Sequence, residues 1–210
     1  MIVMKFGGTS VANFEAITRT IFIIGGKLDK KPVVVVSALA KITDLLYAIS
    51  DAATAKDAAS TTDYLAQLRK RHVELTEELL AQSVLKEEAV AKVNELCDGL
   101  DKIAMAVCSL GELSDKNKAI IISTGEYLSS TIIAYAMNAK GIRTKWVDSR
   151  TMMVTNKSYL KAEPDMDAIA ERAPKLISEA YEGMDAIIMQ GFVGVTEEGK
   201  WLVYDKNDNI

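Results

Sequence analysis

Hydrophobic spacing switches along the chain between a strand-like and a helical period, and the switches mark the elements. Ile2–Phe6 is a short apolar run halted by Gly7-Gly8, which predicts a buried strand feeding a tight turn. Over residues 13–28, Phe14, Ile17, Ile21 and Ile24 recur at helical spacing, with Asn13 placed to cap the start and Gly25-Gly26 near the end. After Pro32, the run Val33-Val34-Val35-Val36 predicts a central parallel strand buried on both faces. It gives way at Ser37-Ala38, and Thr43-Asp44 opens a helical stretch carrying Leu45, Leu46 and Ile49.

Residues 60–110 hold a helical period without any strand signal. Leu65, Leu68, Leu75, Leu79 and Leu80 fall on one side, and Arg69, Lys70, Arg71, Glu74 and Glu78 elsewhere. The expectation is a helical insertion, an antiparallel pair packed on itself or on another subunit. A further helix is expected over residues 115–139, interrupted at Ser123-Thr124-Gly125. Short strands are expected at residues 143–147 and 151–154, then a helix over 165–181 that Pro174 should distort. Ala186–Gln190 reads as another buried strand, ended by Gly191-Phe192-Val193-Gly194, and residues 201–204 as a last one. Strands alternating with helices give an α/β class, a mostly parallel sheet covered by helices on both faces. Residues 1–210 read as one domain, with no repeats or proline-rich linkers.

Composition narrows the partners. With 49% apolar and 26% charged residues the chain matches an ordinary globular protein. A net charge of −4 argues against a broad surface for nucleic acid or anionic membrane. No segment reaches the roughly 20 apolar residues of a membrane span. The first lysine follows the apolar run with no small-residue cleavage site after it, so no secretory signal is expected and the protein reads as cytoplasmic. Cys97 and Cys108 lie about 16 Å apart along a helix axis and read as buried, unpaired thiols. His72, the lone histidine, sits among charged residues and reads as solvated surface. The tyrosines and methionines read as core filler.

The candidate chemistry lies where apolar strands end, because ligands of open α/β sheets bind beyond the carboxyl ends of the strands. Lys5 beside Gly7-Gly8 suits a phosphate: the glycines let backbone N–H groups approach an anion, and the ammonium adds a point charge. The pattern is neither a P-loop nor a dinucleotide fingerprint, and a plain strand end with a tight turn fits the spacing equally well.

Lys5-Phe6-Gly7-Gly8-Thr9-Ser10-Val11 resembles the opening signature of the aspartokinases, within the amino-acid kinase family. Val35-Val36-Ser37-Ala38 with Ile42-Thr43-Asp44-Leu45-Leu46 is similar to the family's second strand and following loop. Ser123-Thr124-Gly125-Glu126-Tyr127-Leu128-Ser129 resembles its S-x-G-E-x-x-S segment, and Ala162-Glu163-Pro164-Asp165 and Gln190-Gly191-Phe192-Val193-Gly194 follow in the family's order. The series runs from residue 1 to about 199. Related kinases acting on glutamate, acetylglutamate, carbamate or UMP share the fold but differ around the acidic substrate.

The resemblance implies transfer of the ATP γ-phosphoryl group to the side-chain carboxylate of L-aspartate, giving 4-phospho-L-aspartate on the route to lysine, threonine and methionine. ATP would come as its Mg²⁺ complex, for which the chain shows no ligand cluster of its own. Carried over by position, Lys5 would hold the transferring phosphoryl group, and Phe6, Gly7, Gly8 and Ser37 would line the phosphate cleft. Thr43 would donate a hydroxyl to aspartate, Glu126 would take its α-ammonium, and Phe192 would pack against it. Read without the resemblance, Thr43 is a helix cap and Glu126 a first-turn carboxylate favoured by the helix dipole.

Past the turn near Gly199 the family continues into a T-T-L-G-R-G-G-S-D segment, whereas this chain runs Lys200-Trp201-Leu202-Val203-Tyr204-Asp205 and onward to Ile210. No arginine follows Arg172. By the resemblance, the lobe for adenine and ribose and the regulatory domains are missing. Loss of a bidentate arginine and most of a nucleotide site should slow the reaction about a thousandfold or more. The chain alone is therefore expected to be a very poor kinase. A non-catalytic aspartate-binding module, or a partner complementing a separate nucleotide lobe, is the alternative expectation. An incomplete sheet should also expose apolar surface, so a homo-oligomer is expected through that surface or through the 60–110 helices.

Overall fold

The structure is a computed structural model describing residues 1–156, 159–160 and 162–196, with the backbone of the strand Trp201–Val203. Gly199, Tyr204 and the tail 205–210 lie outside the described residues.

The valine run and its apolar counterparts assemble as expected. β1 (Ile2–Phe6), β2 (Pro32–Val36), β3 (Thr144–Trp146) and β4 (Ala186–Gln190) form one sheet in the order β1-β2-β4-β3, every pairing parallel. Lys5 stands opposite Val35, and Val36 opposite both Phe6 and Gln190. A separate antiparallel pair joins β5 (Val193–Val195) to β6 (Trp201–Val203), so the expected last strand does not extend the main sheet.

The helices are α1 (Phe14–Gly25), α2 (Ile42–Thr54), α3 (Ala58–Leu79), α4 (Lys86–Leu110), α5 (Asp115–Ala139) and α6 (Met166–Ala180). Polar caps fix four of these starts: Asn13 accepts from the Ala16 amide, Asp57 from Ser60, Ser114 from Asn117 and Asp165 from Ala168. One face of the sheet, through Val34, Val36 and Ile188, packs into a core shared with α1 to α5. The other face, through Val33, Ile187 and Met189, is covered by α6 residues such as Ala180 and Leu176. That second layer stops short of β1, where Val3 is 68% exposed. Helices therefore cover both faces, but the second only in part.

Several expectations need correction. The 60–110 pair is antiparallel, but α3 and α4 contribute Leu65, Leu68, Val93 and Leu100 to the central core, packed against α2 and α5. The helical insertion thus packs into the domain's own core rather than only on itself or on another subunit. α5 runs unbroken through Ser123-Thr124-Gly125, because both hydroxyls bond back to the Ile120 carbonyl and the segment is fully enclosed. The helix over 165–181 forms as α6 with Pro174 inside it, as expected. The strand expected at 151–154 is a 3-10 turn, Ser149–Thr151, held by Asp148, which accepts from the Arg150 amide at 3.1 Å. Only an isolated bridge from Val154 to Val195 remains of the strand. His72 is completely buried, not solvated. Cys97 and Cys108 are buried free thiols, as expected, and burial pushes Cys97 up to about 11.

Candidate active site

Parallel strands place all their carboxyl ends at one edge, and the loops leaving β1, β2 and β4 meet there. The ladder continues one residue past each strand. The Ser37 amide donates to the Phe6 carbonyl at 3.1 Å, and the Gly191 amide to the Val36 carbonyl at 2.8 Å. Phe6 is half-buried, and its carbonyl is thereby the hinge between the first two loops.

The two glycines after β1 differ in what they permit. A Cβ on Gly8 would sit 3.0 Å from the Ala38 carbonyl oxygen, so this turn closes on the β2 loop only without a side chain. A Cβ on Gly7 would meet nothing within 4 Å. The space above Gly7 is open, as a cradle for an anion requires. Thr20 anchors the turn to α1 by donating to the Ser10 carbonyl at 2.8 Å. Lys5 is exposed and shares the sheet face of Val35, opposite the face on which α5 packs.

Glu126 lies mid-helix on α5 and is only 4% exposed, so the first-turn reading fails. Its Oε1 accepts from the Ala38 amide at 3.4 Å. Three residues on, the Ser129 hydroxyl donates to the Ser37 carbonyl at 2.8 Å. Close approach of helix and loop is possible because residue 125 is glycine. A Cβ there would stand 2.8 Å from the Ala38 Cβ and 3.1 Å from Ile42 and Leu46 carbons. A buried carboxylate is costly to desolvate, and here it is aimed at the strand ends.

Thr43 occupies the first turn of α2 but does not cap it. Lys41 takes the cap position in a left-handed conformation, φ 66°, with no side-chain cap bond. Thr43 is half-buried, next to the Ile42 that packs on Gly125. Phe192 also has a left-handed backbone, φ 64°, a strained state for a bulky residue. It packs with Ala162, Met153 and Tyr159. The strain is held by neighbours: Gln190 Oε1 accepts from the Ser149 amide at 2.9 Å, and the Ser149 hydroxyl donates to the Val193 carbonyl at 3.2 Å.

The structure thus brings Phe6, Ser37 and Glu126 into one hydrogen-bonded network through Ala38 and Ser129, with Lys5, Gly7, Gly8, Thr43 and Phe192 on its adjoining segments. Lys5 and Glu126 approach the strand ends from opposite sheet faces. Ser129 and Lys41 were missed as positioning residues. Ser129 closes the S-x-G-E-x-x-S segment, so a signal was present; the left-handed turn at Lys41 has none. Among the described residues no three His, Cys, Asp or Glu side chains group to hold a metal, and no helix is long and apolar enough to cross a membrane.

The description "Amino acid kinase family" fits residues 1–209 of the chain. Lysine-sensitive aspartokinase 3 of Escherichia coli is 30% identical over 203 residues, which is 95% of this chain and 42% of that protein. The crystal structure of E. coli aspartokinase III with lysine and aspartate superposes with a TM-score of 0.85 at 26% identity, over 99% of this chain and 44% of that one. Its complex with aspartate and ADP gives 0.83 at 28% identity, covering 98% and 44%. The chain therefore spans less than half the length of these relatives.

Proposed function

The chain belongs to the amino acid kinase family, and from that premise we propose that it forms the acid-binding side of an aspartate kinase. The observation that carries this reading is Glu126, a buried carboxylate fixed at the open strand ends beside a glycine turn. A carboxyl group held against the loop at the strand ends is suited to an ammonium group, and the open space over Gly7 with the nearby Lys5 is suited to phosphate.

The reaction would join a carboxylate oxygen of L-aspartate to the γ-phosphorus of ATP. The bond to the bridging oxygen breaks, and ADP leaves with that electron pair. A carboxylate is already ionised at neutral pH, so no general base is needed, and the chain's work is positioning and charge neutralisation. Glu126 would hold the substrate's α-ammonium, and Thr43 would donate to a carboxylate. Phe192, with its constrained backbone, would close over the substrate. Lys5 and the Gly7 and Gly8 amides would balance charge on the phosphoryl group in flight. Mg²⁺ would travel on the phosphate oxygens, which commonly supply most of its ligands.

Two assays test the reading. Calorimetric titration with L-aspartate should show binding that Glu126→Gln weakens about tenfold or more, since a charge-assisted contact is worth roughly 1.5–3 kcal/mol. Aspartate-dependent ADP release from Mg-ATP should be slow or absent in this chain, and any turnover should vanish in Lys5→Ala. Binding without turnover supports an acid-binding lobe, and neither binding nor turnover overturns the proposal.

A further inference from the structure

A cavity lies away from the strand ends, on the opposite side of α5. It encloses about 530 Å³ between α4, α5 and β3, a volume within the roughly 300–1,000 Å³ range of small-molecule sites. Leu96, Leu100 and Ile103 of α4 form one wall. Tyr127 and Trp146 form another, their ring centroids 6.1 Å apart and inclined at 49°. The apolar walls are recessed: Leu100 and Tyr127 are buried, and Leu96, Ile103 and Trp146 half-buried. A flat protein surface would not reach them.

The polar groups around the cavity are already engaged. Trp146 Nε1 donates to Ser130 at 3.0 Å, the Tyr135 hydroxyl to Glu88 at 2.8 Å, and Asn138 bonds both Ala134 and Thr144. The charges at its ends neutralise each other, Lys92 with Glu95 and Arg150 with Asp148. Arg150 also stacks over the Tyr127 ring, 5.2 Å from its centroid. The exception is Thr131. It is only 7% exposed, lines the cavity, and its hydroxyl makes no hydrogen bond among the described residues. The hydroxyl is open to the cavity, and an occupant that bonds it makes a contact that no other side chain around the cavity offers.

We propose that this cavity binds a small uncharged aromatic molecule carrying one hydroxyl or amide group. Ring faces would meet Tyr127 and Trp146, and the polar group would meet Thr131. An ionised ligand would find every neighbouring charge already compensated. The site is separate from the strand-end cleft, because Thr124, Tyr127 and Thr131 face the cavity while Gly125, Glu126 and Ser129 face the β2 loop.

Amide chemical-shift mapping of the chain with 2-naphthol, and with naphthalene as the analogue lacking the hydroxyl, tests the proposal. Shifts should cluster on α4 around Gly99, on α5 from Thr124 to Asn138 and on β3. Thr131→Val should weaken 2-naphthol about fivefold, one hydrogen bond's worth, and leave naphthalene unchanged. Gly99→Leu should abolish both, since a Cβ there meets nothing within 4 Å and the side chain enters the mouth of the cavity. Ala134→Met fills the same space from the opposite wall and should give the same loss. Shifts scattered over the surface, or binding that survives both filling variants, would overturn the proposal.

Discussion

His72 carries the chain's only imidazole, and its burial makes stability sensitive to pH. One ring nitrogen, Nδ1, lies 2.7 Å from the Leu68 carbonyl, which assigns the proton there. Nε2 is buried without a partner among the described residues. Burial lowers the pKa from 6.5 to about 4, against the Leu68 bond that favours the charged ring and with a smaller push from Arg71. Between those two values the unfolded chain binds the extra proton. Stability is therefore full above about pH 6.5 and falls as pH drops towards 4. By pH 5 the loss should reach about 2 kcal/mol. Urea unfolding at pH 7 and pH 5 should show that drop in the natural chain and little of it in His72→Leu. Equal drops in both would remove His72 as the cause. The charged neighbours at 69–71 and 74 suggest a wet position, yet residue 72 shares the helical stripe of Leu65, Leu68 and Leu75, and the stripe decides.

At the scale of elements, two helical glycines of similar sequence appearance have opposite roles. Gly99 on α4 faces open space, so Gly99→Ala should stabilise by about 0.5–1 kcal/mol through helix propensity. Gly125 on α5 gains the same propensity, but its Cβ would press on Ala38 at 2.8 Å. Overpacking of this kind costs about 1–3 kcal/mol, so Gly125→Ala should be destabilising overall and should displace the loop that Glu126 holds. Paired denaturation curves would show midpoints moving in opposite directions. The helix break expected at Ser123-Thr124-Gly125 rested on local preference, which burial of the whole segment overrides. Likewise the apolar residues of 151–154 are buried by a turn and a single bridge instead of a ladder.

Across the molecule, the sheet is dressed unevenly. α1 to α5 crowd one face, α6 covers β2 and β4 on the other, and β1 is left as an edge strand with Val3 68% exposed and Met1 71% exposed. An exposed apolar edge strand is a template for pairing. Sedimentation at tens of micromolar should therefore show concentration-dependent association, and Val3→Lys should shift it towards monomer. A natural chain that sediments as a monomer throughout would count against this surface as the contact.

The class of fold, the parallel strands and the order of motifs along them are legible in the order of amino acids alone. Periodicity and turn chemistry are local properties, and a run of four valines ended by Ser37-Ala38, like the apolar run halted by Gly7-Gly8, leaves few alternatives. The sequence also marked Lys5, Gly7, Gly8, Ser37, Thr43, Glu126 and Phe192, because each lies where an element ends or a motif recurs. How these residues meet is set by long-range packing. The Glu126–Ala38 bond spans 88 residues, and the Ser129–Ser37 bond 92. Contacts of such separation depend on how helices seat on the sheet, which no local window contains. The same seating buries His72, merges α3 and α4 into the core, and leaves a cavity behind α5.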